Sequence, residues 1–115
     1  MKKLTKVEED IMQFIWDLEK CTVSQIIEQM TGPKPPHSTI SSIVRILEKK
    51  GFVDHTAYGR THLYHPTIDR KDYKKNSLKS LVSNYFDGSV ENLVSFLVDE
   101  KEIGLSDIQE LLKDE

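Results

Sequence analysis

The chain opens with two short series of apolar residues at helical spacing, each preceded by a capping pattern. Thr5 with Glu8, and Thr22 with Gln25, have the spacing of capping boxes, in which each residue's side chain accepts a hydrogen bond from the other's backbone. The inward positions predicted for the two helices are Val7, Ile11, Phe14, Ile15 and Leu18, then Val23, Ile26, Ile27 and Met30, with Trp16 partly inward. Cys21 fits a hydrophobic staple to Ile26, so we expect this cysteine to pack in the core.

A third helix is predicted over residues 38–50, because prolines precede it, Ser38 is a good N-cap and Gly51 supplies a left-handed C-cap. Its core-facing positions are Ile40, Ile43, Val44 and Leu47, at i, i+3, i+4 and i+7. Its other face carries hydroxyls over the first turns, cations further along and no acid: Thr39, Ser41, Ser42, Arg45 and Lys49. This face suits a polyanion, although an ordinary solvated helix has a similar composition.

After Gly51 the pattern becomes extended, which predicts a β-hairpin with strands at residues 52–56 and 61–65. Pro66 closes the second strand, and Gly59 gives the turn its backbone freedom. Arg60 would stand at the hairpin tip as an exposed cation, either facing phosphate or simply solvated. Three helices followed by a hairpin predict a winged helix.

The net charge of −3 over 115 residues conceals two halves of opposite sign. Residues 1–75 hold 13 lysine and arginine residues against 10 acidic ones, giving +3, and residues 76–115 hold 3 against 9, giving −6. We expect the first half to be able to approach nucleic acid and the acidic half to point away from phosphates. The chain has no apolar run that predicts a membrane span or a signal core, so we expect a cytoplasmic protein.

Four histidines raise the question of a metal site, since three of them fall in the hairpin: His55, His62 and His65, with His37 upstream. His62 and His65 point to opposite faces of a strand, and no carboxylate or thiol is expected to complete a ligand set near them. We therefore expect no metal and no cofactor. The sequence also lacks a phosphate-binding glycine loop, a zinc-protease motif and a nucleophile elbow, so we expect no enzymatic activity.

The last third predicts three short amphipathic helices, the first capped by Asp69, the second following a break at Asp87 and Gly88, and the third opening at Ser106 and Gln109. Their apolar positions are Leu78, Leu81, Val82, Tyr85, Val90, Leu93, Val94, Leu97, Ile108, Leu111 and Leu112. Segments this short rarely enclose a core alone, so we expect these residues to form a dimer interface. The alternative is that the helices fold back on the winged helix.

Four segments, TKVEEDIMQFIWDLEKCTVSQIIEQM, STISSIVRILEKKGFV, YGRTHLYHP and DRKDY, resemble the BlaI/MecI/CopY family of penicillinase-type repressors. The resemblance spans nearly the whole chain. It implies a winged helix that binds a dyad-symmetric operator in double-stranded DNA, followed by helices that hold a homodimer together. By this resemblance the residues that meet DNA are Ser38, Thr39, Ser41, Ser42, Arg45 and Lys49 on the recognition helix and Arg60 on the wing.

Two features bear on how such a repressor would be released. The copper-responsive branch of the family has a cysteine-rich tail, whereas this chain ends in SDIQELLKDE, so copper sensing is not expected. The β-lactam branch is inactivated by a membrane sensor protease that cuts an asparagine-to-apolar bond in the dimerisation helices. An ungapped match places Phe96 and Leu97 at that bond, and the nearest asparagine-to-apolar bond here joins Asn92 to Leu93.

The predicted fold is mainly α with a small β-hairpin: a winged helix-turn-helix over residues 1–68 and a helical dimerisation region over residues 69–115. The predicted function is a homodimeric repressor, which the resemblance connects with a β-lactam-resistance type of operon. The alternative is a winged-helix module that binds a protein through the same surface and has no sequence-specific affinity for DNA.

Overall fold

A computed structural model of the chain describes residues 3–99 and divides the chain into two compact units, residues 1–70 and residues 71–115. The helices and strands are α1 (Lys6–Leu18), α2 (Val23–Gln29), α3 (His37–Lys49), β1 (Val53–Tyr58), β2 (Thr61–Pro66), α4 (Arg70–Tyr85) and α5 (Val90–Asp99). The first unit has the predicted winged-helix order of three helices and an antiparallel hairpin.

Both predicted capping boxes are present and define the starts of α1 and α2. The Thr5 and Thr22 side chains accept hydrogen bonds from the backbone three residues on, and the side chains of Glu8 and Gln25 accept the reciprocal bonds. The buried face of α1 differs in part from the prediction, because Val7 is 55% exposed while Met12, which was not predicted to face inward, is fully buried. Val7 lies at the second helical position, and the buried residues at this end of the helix are Leu4 and Glu8 instead.

The third helix begins at His37, one residue before the predicted start, so the assignment of Ser38 as its N-cap is wrong. Pro36 has extended backbone angles, and its carbonyl accepts hydrogen bonds from the amides of Thr39 and Ile40. The cap position therefore falls on Pro36, without a side-chain cap. The predicted glycine cap is confirmed: Gly51 has φ +88°, and the amides of Gly51 and Phe52 bond back to the last turn in a Schellman arrangement.

The two strands of the hairpin together are two residues longer than predicted: β1 begins one residue later but continues to Tyr58, and β2 includes Pro66. Only Gly59 and Arg60 remain in the turn. Its second strand is tied to the helices by a short bridge: the amide and carbonyl of Tyr64 pair with those of Cys21, at 2.7 and 2.9 Å. Both side chains are buried. The loop between α1 and α2 thus fixes the base of the hairpin against the helices.

The core of the first unit is formed by apolar side chains from all three helices and the hairpin. Its most buried members are Met12, Ile15, Cys21, Ile26, Val44, Leu47, Phe52 and Val53. Two polar contacts fix its edges. The buried carboxylate of Glu8 lies 2.6 Å from Lys50 Nζ, which joins the start of α1 to the end of α3. The Trp16 indole N–H donates to the carbonyl of Ile68 at 2.8 Å.

In the second unit the predicted break between two helices is confirmed at Asp87 and Gly88, which both have positive φ. Ser89 then caps α5, since its hydroxyl accepts the amide of Asn92 at 3.1 Å. Several predicted apolar residues are exposed in the single chain: Leu78, Leu81, Tyr85 and Val90. Val82 is buried, and Leu93, Val94 and Leu97 are half-buried. The predicted residues Ile108, Leu111 and Leu112 lie outside the described part of the chain.

Within residues 3–99, the helices are too short or too polar for any of them to cross a membrane.

Candidate functional site

Three elements of the first unit, the start of α2, the side of α3 and the hairpin, enclose a cleft of about 440 Å³. Its lining consists of Thr22, Val23, Ser24, His37, Ser41, Arg45, Arg60, Thr61, His62 and Tyr64. Two arginines, two histidines and five hydroxyl groups are in this set, and among these described residues there is no carboxylate. The donors and positive charges of the cleft therefore favour an anionic ligand.

The α3 side of the cleft follows directly from helix geometry, because His37, Ser41 and Arg45 stand at i, i+4 and i+8 on one flank. Arg45 is exposed, and its guanidinium makes two long contacts of 3.4 Å with the carbonyl and hydroxyl oxygens of Ser41. Contacts of this length are weak. They orient the guanidinium along the helix and leave most of its donor capacity for a ligand.

The other arginine of the cleft, Arg60, lies in a hairpin turn of only two residues. Gly59 has φ +61° and Arg60 has an ordinary negative φ, the combination that a type II′ turn requires. Tyr58 pairs with Thr61 across the turn, so Arg60 leaves the sheet at its extreme tip, exposed as predicted. Arg45 and Arg60, fifteen residues apart in sequence, consequently line one surface.

Tyr64 forms the inner wall of the cleft, where its side chain is buried. Burial raises the pKa of its hydroxyl, the nearby Glu48 carboxylate raises it further, and the Arg45 guanidinium partly opposes this effect. The tyrosine stays neutral at physiological pH and can act as a hydrogen-bond donor. Burial also raises the pKa of the Cys21 thiol to about 11, which agrees with the predicted packing role of this cysteine.

The expectation that no carboxylate lies near the hairpin histidines is wrong. Glu48, in the last turn of α3, has Oε2 2.5 Å from His55 Nδ1 on β1, and Asp54 is within reach of both side chains. Glu48 lies on a helix and His55 on the following strand, and the Gly51 turn brings the end of the helix beside the start of the strand. His62 stacks on His55 with ring centroids 4.2 Å apart.

The structure brings three of the seven predicted DNA-contact residues into the cleft: Ser41, Arg45 and Arg60. The other four, Ser38, Thr39, Ser42 and Lys49, are exposed along α3 and outside the set that lines the cleft. The polar residues of the cleft that were not predicted to contact DNA are Thr22, Ser24, His37, Thr61, His62 and Tyr64. The histidine pattern singled out His37 and His62 only as candidate metal ligands, and Thr22 carried a helix-capping signal with a purely structural meaning. Ser24, Thr61 and Tyr64 carried no signal of a binding role.

Comparison with protein families gives one match over nearly the whole chain: the family described as Penicillinase repressor matches residues 4–114. Among curated proteins, the chain is similar to the penicillinase repressor of Bacillus licheniformis, at 24% identity over 96% of this chain and 90% of that protein. It is also similar to the methicillin resistance regulatory protein MecI of Mammaliicoccus sciuri, at 26% identity over 95% of this chain and 89% of that protein.

Two solved structures resemble the first part of the chain. The solution structure of the DNA-binding domain of the repressor BlaI has a TM-score of 0.53 and 30% identity, covering 64% of this chain and 94% of that one. The monomeric form of Bacillus licheniformis BlaI in complex with the blaP half-operator has a TM-score of 0.51 and 27% identity, covering 63% of this chain and 89% of that one. These similarities confirm the predicted winged-helix fold.

Proposed function

The chain belongs to the penicillinase repressor family, and we propose that it is a homodimeric transcriptional repressor that binds a dyad-symmetric operator in double-stranded DNA. It acts in the cytoplasm and catalyses no reaction. The observation that carries this proposal is the cleft, in which Arg45 of α3 and Arg60 of the wing line one surface without a carboxylate among its described lining. A surface of this chemistry fits the phosphate backbone.

The two arginines and the exposed hydroxyls have different parts in the proposed complex. Arg60, at the tip of the hairpin, contacts phosphate and contributes affinity without sequence information. Thr39 and Ser42 are exposed in the first half of α3, the part of a recognition helix that reaches base edges in the major groove. Arg45 lies between these regions and binds the backbone beside the groove, with Lys49 one turn further along.

A structural relative supports one winged helix per half-site, since the monomeric form of Bacillus licheniformis BlaI has been solved in complex with the blaP half-operator. Transferred to this chain, that arrangement has one first unit on each half of the operator. Each half-site contact alone is weak, so tight binding requires that two such units be joined in a dimer. The dimer presents two recognition helices at a fixed spacing. That spacing is about one DNA turn, roughly 34 to 36 Å, or a multiple of it.

The second unit supplies a surface for that connection. In the single chain Val90 is 59% exposed and Phe96 is 51% exposed, and none of the described residues of α5 is fully buried. Leu78 and Leu81 of α4 are exposed as well. Apolar groups spaced along two helices gain stability when a second copy covers them, which supports the homodimer.

Release from DNA is proposed to follow cleavage within α5 by a membrane sensor protease, with a β-lactam-resistance type of operon as the controlled genes. Of the two candidate bonds, Asn92–Leu93 is the better substrate because it lies in the first turn of α5, where helix ends fray. The Phe96–Leu97 bond lies deeper in the helix. A cut at either place removes apolar side chains of the dimer surface without touching the cleft.

The test is selection of DNA fragments by the purified full chain from a random duplex pool. We expect the enriched fragments to share a motif with dyad symmetry and to bind at least about a thousandfold more tightly than random duplex. A pool without an enriched motif contradicts the proposal. A pool with no affinity for the protein at all favours the alternative, a winged-helix module that binds another protein.

A further inference from the structure

Three potential metal ligands converge at the junction between α3 and the hairpin, beside the cleft. They are Glu48 from the last turn of α3, and Asp54 and His55 from β1. One ligand atom from each lies within 4.8 Å of the other two. The closest pair, Glu48 Oε2 and His55 Nδ1, is 2.5 Å apart.

The separations suit a metal ion of the size of zinc. Zinc binds nitrogen and oxygen ligands at about 2.0 to 2.2 Å, so two ligands of a tetrahedral site lie roughly 3.3 Å apart. The Glu48–His55 pair must open by less than about 1 Å, and the Asp54 oxygen must approach by up to roughly 1.5 Å. Asp54 is exposed, and the side chains of Glu48 and His55 are 26% and 29% exposed, so an ion can enter from solvent.

Local contacts already orient two of the three ligands. An Asp54 carboxylate oxygen accepts the His55 backbone N–H at 2.8 Å, which turns the aspartate back toward its neighbour on the strand. The His62 ring stacks on the His55 ring with an angle of 11° between their planes, which fixes the imidazole. These contacts reduce the ordering needed to assemble the three ligands around an ion.

We propose that Glu48, Asp54 and His55 form a binding site for a divalent transition-metal ion, with zinc as the best fit and water in the remaining position. One imidazole with two carboxylates suits zinc and its neighbours in the first transition series, whereas calcium and magnesium take oxygen ligands alone. The metal replaces the hydrogen bond between Glu48 and His55: Nδ1 loses the proton that it donates to Glu48 and coordinates the ion through its lone pair, while Nε2 carries the proton of the ring.

Occupancy has a mechanical and an electrostatic effect. The ion crosslinks the end of α3 to the first strand of the hairpin, the two elements that carry Arg45 and Arg60, and so holds the two sides of the cleft at a fixed separation. It also neutralises two carboxylates beside a cationic surface. If the proposed function holds, zinc strengthens binding to duplex DNA; metal binding itself is measured without DNA and does not depend on that function.

The test is zinc titration of the metal-free full chain by isothermal calorimetry, with His55→Ala, Glu48→Gln and Asp54→Asn as variants and His37→Ala as the matched control. We expect one zinc ion per chain and at least a tenfold loss of affinity in each of the three variants. The control removes a histidine from the other end of α3 and keeps the parent affinity. Magnesium at the same concentration binds at least tenfold more weakly.

A second measurement distinguishes a loss of zinc binding from a loss of folded structure in the variants. Zinc at ten times its Kd should raise the melting temperature of the parent by about 5 to 10 °C, and circular dichroism without metal checks that each variant is folded. The isosteric variants Glu48→Gln and Asp54→Asn are the least disruptive. The proposal is wrong if the parent takes up no zinc, or if folded variants bind zinc as tightly as the parent. Zinc binding without any change in DNA affinity overturns only the electrostatic and mechanical effect on the cleft.

Discussion

Splitting the proposed dimer should abolish operator binding without touching a residue that meets DNA. The double variant carries Leu93→Asp and Leu97→Asp on α5. Both leucines are half-buried in the single chain, on the same face of the helix as the exposed Val90. We expect the double variant to be monomeric and its first unit to remain folded, because the core of that unit is formed by residues of α1 to β2.

The expected loss of dimer stability follows from the burial of these side chains. Full burial of a leucine side chain is worth roughly 1.5 to 3 kcal/mol, and a half-buried leucine has up to about a third of that left to gain from a partner. Four leucines per dimer therefore contribute roughly 2 to 4 kcal/mol. Each buried, unpaired carboxylate costs several kcal/mol more. The sum exceeds about 5 kcal/mol, which weakens the dimer by more than roughly a thousandfold.

Sedimentation velocity measures the oligomeric state, and fluorescence anisotropy on the selected operator measures affinity. The matched control is Asn92→Asp with Ser95→Asp, which adds the same two charges to the polar side of α5 and should remain dimeric. A leucine variant that stays dimeric places the subunit interface elsewhere. A monomeric variant that binds the operator as tightly as the parent refutes the linkage between dimerisation and DNA binding.

Four further single substitutions test individual contacts. Arg60→Ala should weaken binding to operator and random duplex by similar factors in anisotropy titrations, because a phosphate contact carries no sequence information. Unchanged affinity for random duplex would argue against this contact. Thr39→Ala or Ser42→Ala should change the ranking of operator variants in competition binding, and an unchanged ranking for both moves base recognition elsewhere. Glu8→Gln should cost about 1 to 3 kcal/mol of unfolding free energy at pH 7. The hydrogen bond from Lys50 and then that from Thr5 lower the pKa of Glu8, so its contribution is present above pH 4.5 and is lost as the pH falls through the folded-state pKa. In denaturant unfolding, the free energy of unfolding of the Gln variant should therefore fall less than that of the parent between about pH 5 and 3. Equal losses would contradict the role of this ion pair.

Much of the first unit could be predicted from local patterns, because its helices are short and amphipathic and several of their ends are marked by capping residues. The capping boxes at Thr5 and Thr22 and the glycine cap at Gly51 are where the pattern places them. The error at Ser38 has a local cause as well: the extended backbone of Pro36 lets its carbonyl serve as the first helical acceptor. Cap preferences alone do not decide between adjacent positions.

The site is less predictable because it depends on which elements meet. Nothing in the sequence places Thr22 and Ser24, at the start of α2, opposite Thr61 on the hairpin. The bridge between Cys21 and Tyr64 that sets this arrangement joins residues far apart in the chain. The exposed polar and cationic residues of α3 and the wing tip could be predicted because amphipathic spacing and charge are local properties of the sequence. Their convergence on one cleft is a property of the fold.

The most direct test of DNA binding through the cleft is the salt dependence of affinity for random duplex, measured for the full chain and for Arg45→Ala with Arg60→Ala. Each neutralised phosphate contributes about −0.9 to the slope of log K against log salt concentration. The parent should lose orders of magnitude in affinity between about 50 and 200 mM salt, and the double variant should have a slope shallower by at least about 1.8. A parent without salt-dependent affinity for duplex DNA, or a double variant with the parent's slope, would contradict a cleft that binds phosphate.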